Sequence, residues 1–233
     1  MTDERRRGRL YGRRKGPKLS AHQLGLRESL LPGLRFEGAV PQGAWLEIGF
    51  GAGEHLVWQA EHHPDVTLIG AEPYEGGVAK LLSKLAEQPL PNIRIHEGDA
   101  RAIVDAAPQA SLGRVFILFP DPWPKTRHHK RRFVQMQTLD ALARAMADGA
   151  ELRFASDDAH YLAWTLERLM AHPAFAWTAE RMTDWTTRPA DWPPTRYEAK
   201  ALHGPPAFLR FVRKARAQSG EERSDTPGRL RAD

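Results

Sequence analysis

The sequence predicts an α/β protein whose mostly parallel, seven-stranded sheet carries helices on both faces. Short apolar runs with the length of buried strands alternate with segments whose apolar residues recur at helical spacing. The run at residues 45–50 leads into Gly49-Phe50-Gly51-Ala52-Gly53, and a helix pattern begins at Glu54. Strand, glycine-rich turn and helix form the first unit of a Rossmann-like fold, in which ligands bind at the carboxyl ends of the strands.

The elements follow in a regular order along the chain. Ser20 is a suitable N-cap for a first helix, which we expect to end at the Pro32-Gly33 break. After the strand at 45–50, the predicted strands cover residues 66–71, 93–96, 115–119 and 150–155. The predicted helices between and after them cover residues 74–87, the apolar positions from Phe133 to Met146, and those from Tyr161 to Met170. Strands at 175–181 and 208–212 are expected to close the sheet as an antiparallel edge.

Composition fits one α/β domain of ordinary size. The chain has 233 residues, 41% hydrophobic and 27% charged, and no run of about 18 apolar residues that could span a membrane. Cysteine is absent, which excludes disulfides, thiolate metal sites and a cysteine nucleophile. We expect a basic arm at 1–18, a catalytic domain at 19–214 and a disordered tail at 215–233. A cytoplasmic monomer or homodimer without a bound metal is the expected form.

Carboxylates lie at or near the ends of four successive predicted strands. They are Glu47, Glu72, Asp99 and Asp121. So many acids around the glycine turn would repel the pyrophosphate of a dinucleotide, whereas they would attract the sulfonium and amino group of S-adenosylmethionine. The spacing of Gly49, Gly51 and Gly53 also departs from the Gly-x-Gly-x-x-Gly of dinucleotide sites. Glu72, about 20 residues beyond the first glycine, is placed to bind ribose hydroxyls.

The segment after the fourth strand combines a rigid acid, an aromatic ring and a run of cations. Pro120 and Pro122 stiffen the turn that carries Asp121, and Trp123 and Lys125 follow. Residues 127–132 then read Arg-His-His-Lys-Arg-Arg, a cluster suited to phosphates, in a chain of net charge +5. These features indicate chemistry on a nucleobase. Trp123 could stack on a base or pack in the core.

The residues that carry these features resemble the bacterial tRNA (guanine-N7-)-methyltransferases. The match comprises Leu46-Glu47-Ile48-Gly49-Phe50-Gly51-Ala52-Gly53, Phe119-Pro120-Asp121-Pro122-Trp123-Pro124-Lys125, the basic run at 127–132 and Thr195-Arg196-Tyr197-Glu198. The resemblance implies a class I S-adenosylmethionine-dependent methyltransferase that forms N7-methylguanosine in the variable loop of tRNA. Ser156 stands where the family often has threonine, and it keeps a hydroxyl.

Residue roles are carried over from the same resemblance. Glu47, Glu72, Asp99 and Asp121 are implied to contact the cofactor, with Asp121 also the catalytic residue. Lys125, Asp157, Thr195, Arg196, Tyr197 and Glu198 are implied for the substrate, and Arg127, His128, His129, Lys130, Arg131 and Arg132 for RNA. Asp157 and Glu198 could accept hydrogen bonds from guanine N1–H and N2–H₂, with Thr195 orienting Glu198. His128 and His129 lack metal-ligand partners in the sequence.

Two other functions stay open at this point. Asp121-Pro122-Trp123 loosely resembles the Asp-Pro-Pro-aromatic motif of enzymes that methylate an exocyclic amine, although those lack Lys125 and the basic run. A catalytically inactive RNA-binding protein with the same fold is the other alternative. It would be expected to have lost a cofactor acid or glycine, and none is missing here.

Overall fold

In the computed structural model, seven strands form one sheet, and the described residues are 14, 16–200 and 203–217. The strands are β1 (Ala44–Ile48), β2 (Leu68–Ala71), β3 (Ile93–His96), β4 (Leu112–Leu118), β5 (Met146–Ser156), β6 (Phe175–Trp177) and β7 (Ala207–Arg213). The helices are α1 (Ala21–Ser29), α2 (Leu31–Leu34), α3 (Glu54–His62), α4 (Glu75–Glu87), α5 (Ala100–Ala106), α6 (Met136–Ala145), α7 (Ala159–Ala171), α8 (Thr183–Thr186) and α9 (Arg196–Lys200), with a 3₁₀ helix at Thr126–Arg131. Among these residues no helix is both long and apolar enough to cross a membrane.

The sheet has the order β3-β2-β1-β4-β5-β7-β6. The first five strands in this order pair in parallel, whereas β7 pairs antiparallel to both β5 and β6. The strand order changes direction between β1 and β4, where Ile48 aligns with Ile117. In an open α/β sheet this switch point creates a crevice at the carboxyl ends of the strands, and a ligand is expected there.

The two faces of the sheet are buried by two separate apolar clusters. Successive residues of β2 show the alternation, because Leu68 belongs to one cluster and Ile69 to the other. The first cluster is completed by residues of α3 and α4, including Leu56 and Leu82, and the second by residues of α5, α6 and α7, including Leu142. The strands are therefore fixed from both sides, and their carboxyl ends form a rigid base for the loops that follow them.

Several predicted elements are confirmed and some boundaries are corrected. Ser20 caps α1 through a capping box, in which its Oγ accepts from Gln23 N at 3.2 Å and its own N–H donates to the Gln23 side chain. Met146 is not helical but begins β5. The predicted edge pair is antiparallel, but β6 ends at Trp177 rather than at residue 181, and β7 lies inside the sheet.

The predicted arm and tail are described only in part. Residues 1–13 and 15 of the arm, and 218–233 of the tail, lie outside the described residues. Where the arm is described, the Arg14 carbonyl accepts from Glu75 N at the start of α4. In the described part of the tail, Arg216 pairs with Asp148 and donates to the Met146 carbonyl at 2.8 Å. Arg216 of the predicted tail is therefore in contact with the start of β5.

Candidate active site

A cavity of about 390 Å³ lies at the carboxyl ends of β1, β2, β3 and β4, at the switch point of the sheet. Its wall combines the glycine turn after β1, residues 71–74 at the end of β2 and beyond it, residues 98–101 after β3, and residues 117–121 at the end of β4 and beyond it. Trp123, Arg131, Phe133 and Tyr161 close the side formed by the segment after β4 and by α7. The cavity thus lies where the predicted fold places a ligand.

The glycine turn and Glu72 form one wall together. Gly49, Gly51 and Gly53 have positive φ between 58° and 76°, a conformation that costs glycine little. Gly49 and Gly51 line the cavity, while Gly53 is the N-cap of α3 and lies outside the lining. One Glu72 oxygen accepts from Gly51 N at 2.8 Å and the other from Tyr74 N at 2.9 Å.

Glu72 is only 8% exposed, and its burial raises the pKa of the carboxyl above its ordinary value. The two backbone N–H groups oppose the shift, whereas the neighbouring carboxylates of Asp121 and Glu47 add to it. The side chain is therefore a buried acid whose negative charge is only partly compensated.

Asp99 also lies in the wall. It is the N-cap of α5, accepts from Arg101 N at 3.0 Å and pairs with the Arg101 guanidinium at 2.8 Å. Arg101 itself lies in the wall and stacks on Phe133, with its guanidinium carbon 4.9 Å from the ring centroid. Asp99 is thus a fixed acceptor at the cavity, as predicted from its position after β3.

Glu47 does not line the cavity, and its predicted contact with the cofactor stays a prediction. It lies one residue before the end of β1, and it is 3% exposed. Its carboxylate is bonded to His55 Nδ1 at 2.8 Å, and the far side of that ring meets Gln59 Nε2 at 3.1 Å. Glu47 is thus joined to the first turn of α3, which directly follows the glycine turn.

The turn that carries Asp121 has an unusual backbone. Phe119 and Trp123, two residues to either side of it, have φ of 49° and 46°, in the left-handed region that residues with a Cβ rarely adopt. Such strained residues persist only where the surrounding structure holds them. Asp121 is accessible from the cavity but has protein on its other sides, and the lost solvation raises its pKa.

Trp123 lies in the cavity wall and not in the core. The Arg131 guanidinium carbon lies 4.7 Å from the centroid of its ring, and His128 approaches the ring edge at 5.9 Å between centroids. Partial burial and the charges of Arg131, Arg127, Lys125 and Lys130 lower the pKa of His128. The neighbouring cations therefore disfavour the charged form of the His128 ring.

The predicted RNA-binding residues fall into two groups. Arg127 and Lys130 are exposed on the 3₁₀ helix, with Lys125 exposed just before it, and they can reach a phosphate. His129 is half-buried, with its ring 5.2 Å from that of Trp164. Arg132 is only 1% exposed. The burial of its guanidinium counts against the predicted RNA contact of Arg132.

The predicted substrate residues lie beside the cavity and not in its wall. Asp157 follows β5 as Asp121 follows β4, and the two strand ends are joined by a hydrogen bond from Phe119 N to the Ala155 carbonyl. Asp157 is half-buried, and its carboxylate accepts from His203 N at 3.1 Å.

The segment at 195–198 reaches the same edge of the sheet. Thr195 accepts from Glu198 N at 3.3 Å and so caps α9, and Arg196 lies 3.6 Å from Glu54, directly after the glycine turn. Glu198 is paired with Arg188 at 3.1 Å. The side chain of Tyr197 lies outside the described part.

A buried ion pair anchors the loop that precedes this segment. Arg153 of β5, 2% exposed, pairs with Asp191 and with Glu151, both at 2.7 Å. The Asp191 carbonyl accepts from Gln59 Nε2 at 2.9 Å, and the neighbouring Trp192 is buried. No sequence motif indicates this anchor, which depends on contacts between residues far apart in the chain.

The cavity fits a cationic cofactor better than a phosphate-containing one. Arg101 is already paired with Asp99, whereas neither Glu72 nor Asp121 has a cation within ion-pair distance among the residues that the structure describes. The raised pKa values of both carboxyls show that a positive charge placed near them would be stabilised. Within the same residues, no three His, Asp or Glu side chains are grouped as metal ligands.

The chain matches known methyltransferases in sequence. The family model described as "Putative methyltransferase" matches residues 41–207. A tRNA (guanine-N(7)-)-methyltransferase of Rhodospirillum rubrum is 49% identical, with 97% of this chain and 95% of the relative covered. The enzyme of the same name from Paramagnetospirillum magneticum is 48% identical over 90% of this chain and 94% of the relative.

Solved structures with low sequence identity share the fold. A precorrin-6y C5,15-methyltransferase of Geobacter metallireducens has a TM-score of 0.51 at 14% identity, covering 86% of this chain and 94% of its own. A 16S rRNA (adenine(1408)-N(1))-methyltransferase variant of Catenulisporales acidiphilia has a TM-score of 0.51 at 15% identity, covering 89% and 99%. The predicted Rossmann-like class I methyltransferase fold is thereby confirmed.

Proposed function

The chain belongs to the family of bacterial tRNA (guanine-N7-)-methyltransferases, and on this premise we propose that it methylates N7 of a guanine in tRNA, with S-adenosylmethionine as donor. The observation that carries the proposal is the shared wall of the cavity. Asp121, Trp123 and Arg131 line the cavity on a single stretch of chain, and the exposed cations of the 3₁₀ helix lie on that stretch. An RNA held there by its phosphates is therefore in register with the methyl-transfer site. The variable loop of tRNA is the target region that we propose from the resemblance.

The cofactor residues follow from the cavity wall. Glu72 would accept hydrogen bonds from the ribose hydroxyls, and Gly49 and Gly51 allow close approach of the backbone. Asp99 offers a further fixed acceptor. Glu47 is proposed as a cofactor contact from the resemblance alone, because its carboxylate is bonded to His55 and does not line the cavity. When bound, S-adenosylmethionine supplies an electrophilic methyl group on a positively charged sulfur.

The protein needs no strong base for this reaction. Guanine N7 has an in-plane lone pair, so the N–CH₃ bond forms as the S–CH₃ bond breaks, and no proton has to leave. The positive charge passes from sulfur to the purine. The protein therefore acts by aligning N7 and by placing the Asp121 carboxylate where it stabilises the charge that develops on the ring.

Recognition of the base is assigned to the residues beside the cavity. Glu198 and Asp157 can accept hydrogen bonds from guanine N1–H and N2–H₂, and Thr195 fixes the helix that carries Glu198. Arg127, Lys130 and Lys125 are exposed for phosphate contacts, which makes RNA affinity dependent on salt. Because the proposed substrate is tRNA, we expect the protein to act in the cytoplasm.

The test is methyl transfer to unmodified tRNA from labelled S-adenosylmethionine. We expect the label in N7-methylguanosine, which is recognised by strand scission at the modified base after borohydride and aniline treatment. Label in an N6-methyladenine or another exocyclic amine would identify the alternative enzyme. Tight RNA binding without any transfer would identify the inactive RNA-binding protein.

A further inference from the structure

The buried arginine of the basic run has a different environment from its neighbours. Arg132 is 1% exposed, and its guanidinium carbon lies 4.8 Å from the ring centroid of Tyr161 and 5.0 Å from that of Trp164, both on α7. Arg131, one residue earlier, lies over Trp123 in the cavity wall instead. The two adjacent arginines therefore point to different parts of the molecule.

The Arg132 guanidinium makes one hydrogen bond. Its Nε donates to the Pro122 carbonyl at 2.8 Å. Both Nη atoms are buried without a hydrogen-bond partner in the described part of the chain, and no described carboxylate lies within ion-pair distance of them. A buried cation with two unsatisfied nitrogens costs folding free energy, and an apolar side chain of similar volume often restores or improves stability at such a site.

The group that Arg132 holds adjoins the proposed catalytic residue. Pro122 directly follows Asp121, and the left-handed residues Phe119 and Trp123 flank the same turn. A turn with two such residues would relax unless it were held from outside. The hydrogen bond from Arg132 holds the middle of this turn, and the Arg132 guanidinium itself packs on two rings of helix α7.

The chain after Arg132 is fixed to the same two rings. Phe133 N donates to the Tyr161 hydroxyl at 3.1 Å, and Trp164 Nε1 donates to the Val134 carbonyl at 2.7 Å. Tyr161 and Trp164 thus hold both the guanidinium and the backbone that carries it. Tyr161 and Trp164 therefore fix the position of Arg132, and a shift of these two rings would move the Pro122 carbonyl through Arg132.

We infer that Arg132 is a positioning residue, which fixes Asp121 for methyl transfer through the Pro122 carbonyl and makes no contact with RNA. This inference rests on the proposed function, because it takes Asp121 as the group that acts on the substrate. Arg132 would then have a different role from the exposed cations of the same run, because it supports the catalytic geometry and they contact RNA.

The experiment compares Arg132→Met, Arg132→Lys and the matched exposed variant Arg127→Gln in the full chain with unmodified tRNA. Arg132→Met should keep the wild-type Tm or exceed it, and should keep its affinity for S-adenosylhomocysteine and tRNA. Its kcat should fall about 10- to 100-fold, as expected for a misplacement near 1 Å. Arg132→Lys keeps the charge but not the planar fork, so its kcat should fall as well.

Arg127→Gln should act mainly on RNA affinity. Its tRNA Kd should rise, and the slope of log affinity against log salt should flatten by about 0.7 to 0.9, the loss of one phosphate contact. The same flattening in either Arg132 variant would make Arg132 an RNA contact and overturn the inference. A wild-type kcat in Arg132→Lys would also overturn it, and so would a Tm that falls together with kcat in both Arg132 variants.

The wild-type protein in the same assay separates the two claims. If it transfers no methyl group to guanine N7, the proposed function fails. The salt slopes of Arg127→Gln and the Arg132 variants would still show whether Arg132 contacts RNA. If the wild type is active, the ratio of kcat values tests the inference alone.

Discussion

Glu72→Ala is the substitution for which the structure gives the clearest expectation. The carboxylate is 8% exposed and uses both oxygens to accept backbone N–H groups of the cavity wall. If it also accepts from a ribose hydroxyl, its removal costs about 1.5–3 kcal/mol, the value of a hydrogen bond to a charged group. Since each ~1.4 kcal/mol is tenfold, the Kd for S-adenosylhomocysteine should rise about 10- to 150-fold.

The loss of Glu72 also affects stability, and this can be measured separately. In Glu72→Ala the N–H groups of Gly51 and Tyr74 lose their acceptor, which should lower the Tm. Glu72→Gln keeps the shape and one acceptor oxygen, so it should retain more stability while losing about tenfold in affinity, the difference between a charged and a neutral hydrogen bond. Glu75→Ala makes the same chemical change three residues later, outside the cavity lining.

Calorimetry with S-adenosylhomocysteine decides the matter, with tRNA affinity as the second measurement. Glu72→Ala should weaken cofactor binding and leave tRNA binding unchanged, and Glu75→Ala should change neither. An unchanged cofactor Kd in Glu72→Ala would refute the reasoning. Equal weakening in both variants would mean that the effect comes from the start of α4 and not from the Glu72 carboxylate.

Three further expectations concern charge and anchoring. The folded-state pKa values of Glu72 and Asp121 are raised, so both carboxyls ionise above their ordinary 4.5 and 3.8. Cofactor affinity should therefore rise with pH as the two carboxyls ionise. The stability of the free protein should fall over the same pH range, because the folded state binds the protons more tightly than the unfolded state. Titrations in which Glu72→Gln kept the wild-type pH profile would contradict this. Asp121→Asn should lower kcat about 10²- to 10³-fold with Tm and cofactor affinity retained, and near-normal turnover would remove Asp121 from catalysis. Asp191→Ala should lower kcat/KM for tRNA about tenfold by releasing the anchor with Arg153, whereas Asp184→Ala, on exposed α8, should not; equal effects on cofactor binding would show general unfolding.

Local patterns in the sequence were sufficient to predict the fold and most of the cavity. Short apolar runs that alternate with helical segments predict the strands. The carboxyl ends of parallel strands lie at one edge of the sheet, so Glu72, Asp99 and Asp121 could be placed there from their positions in the sequence alone. Glu47 lies one residue before the end of its strand, and successive side chains of a strand point to opposite faces, so it meets His55 of α3 and does not line the cavity. The face of the sheet on which Glu47 lies cannot be read from the number of acidic residues near the strand ends.

The features that the sequence could not show depend on contacts between distant parts of the chain. Arg131 and Arg132 are the same residue type in one basic run, and only the approach of Tyr161 and Trp164 makes one of them buried. The Arg153–Asp191 anchor joins residues 38 apart in the chain, and neither is part of a motif. Charge patterns predict a surface, but tertiary packing decides which cations remain on it.

The pair of Arg188 and Glu198 shows how residues 195–198, which we propose for base recognition, can be ordered before RNA binds. A guanidinium and the Watson–Crick edge of guanine both present planar N–H donors, so Arg188 occupies Glu198 as the proposed base would. Arg188 also donates to the Trp192 carbonyl at 2.9 Å, which fixes it to the anchored loop. Its side chain is 37% exposed, and a pair this exposed contributes only about 0–1 kcal/mol. If Glu198 accepts from the guanine as proposed, the base would replace Arg188 at small cost and would find the carboxylate already oriented toward a planar donor.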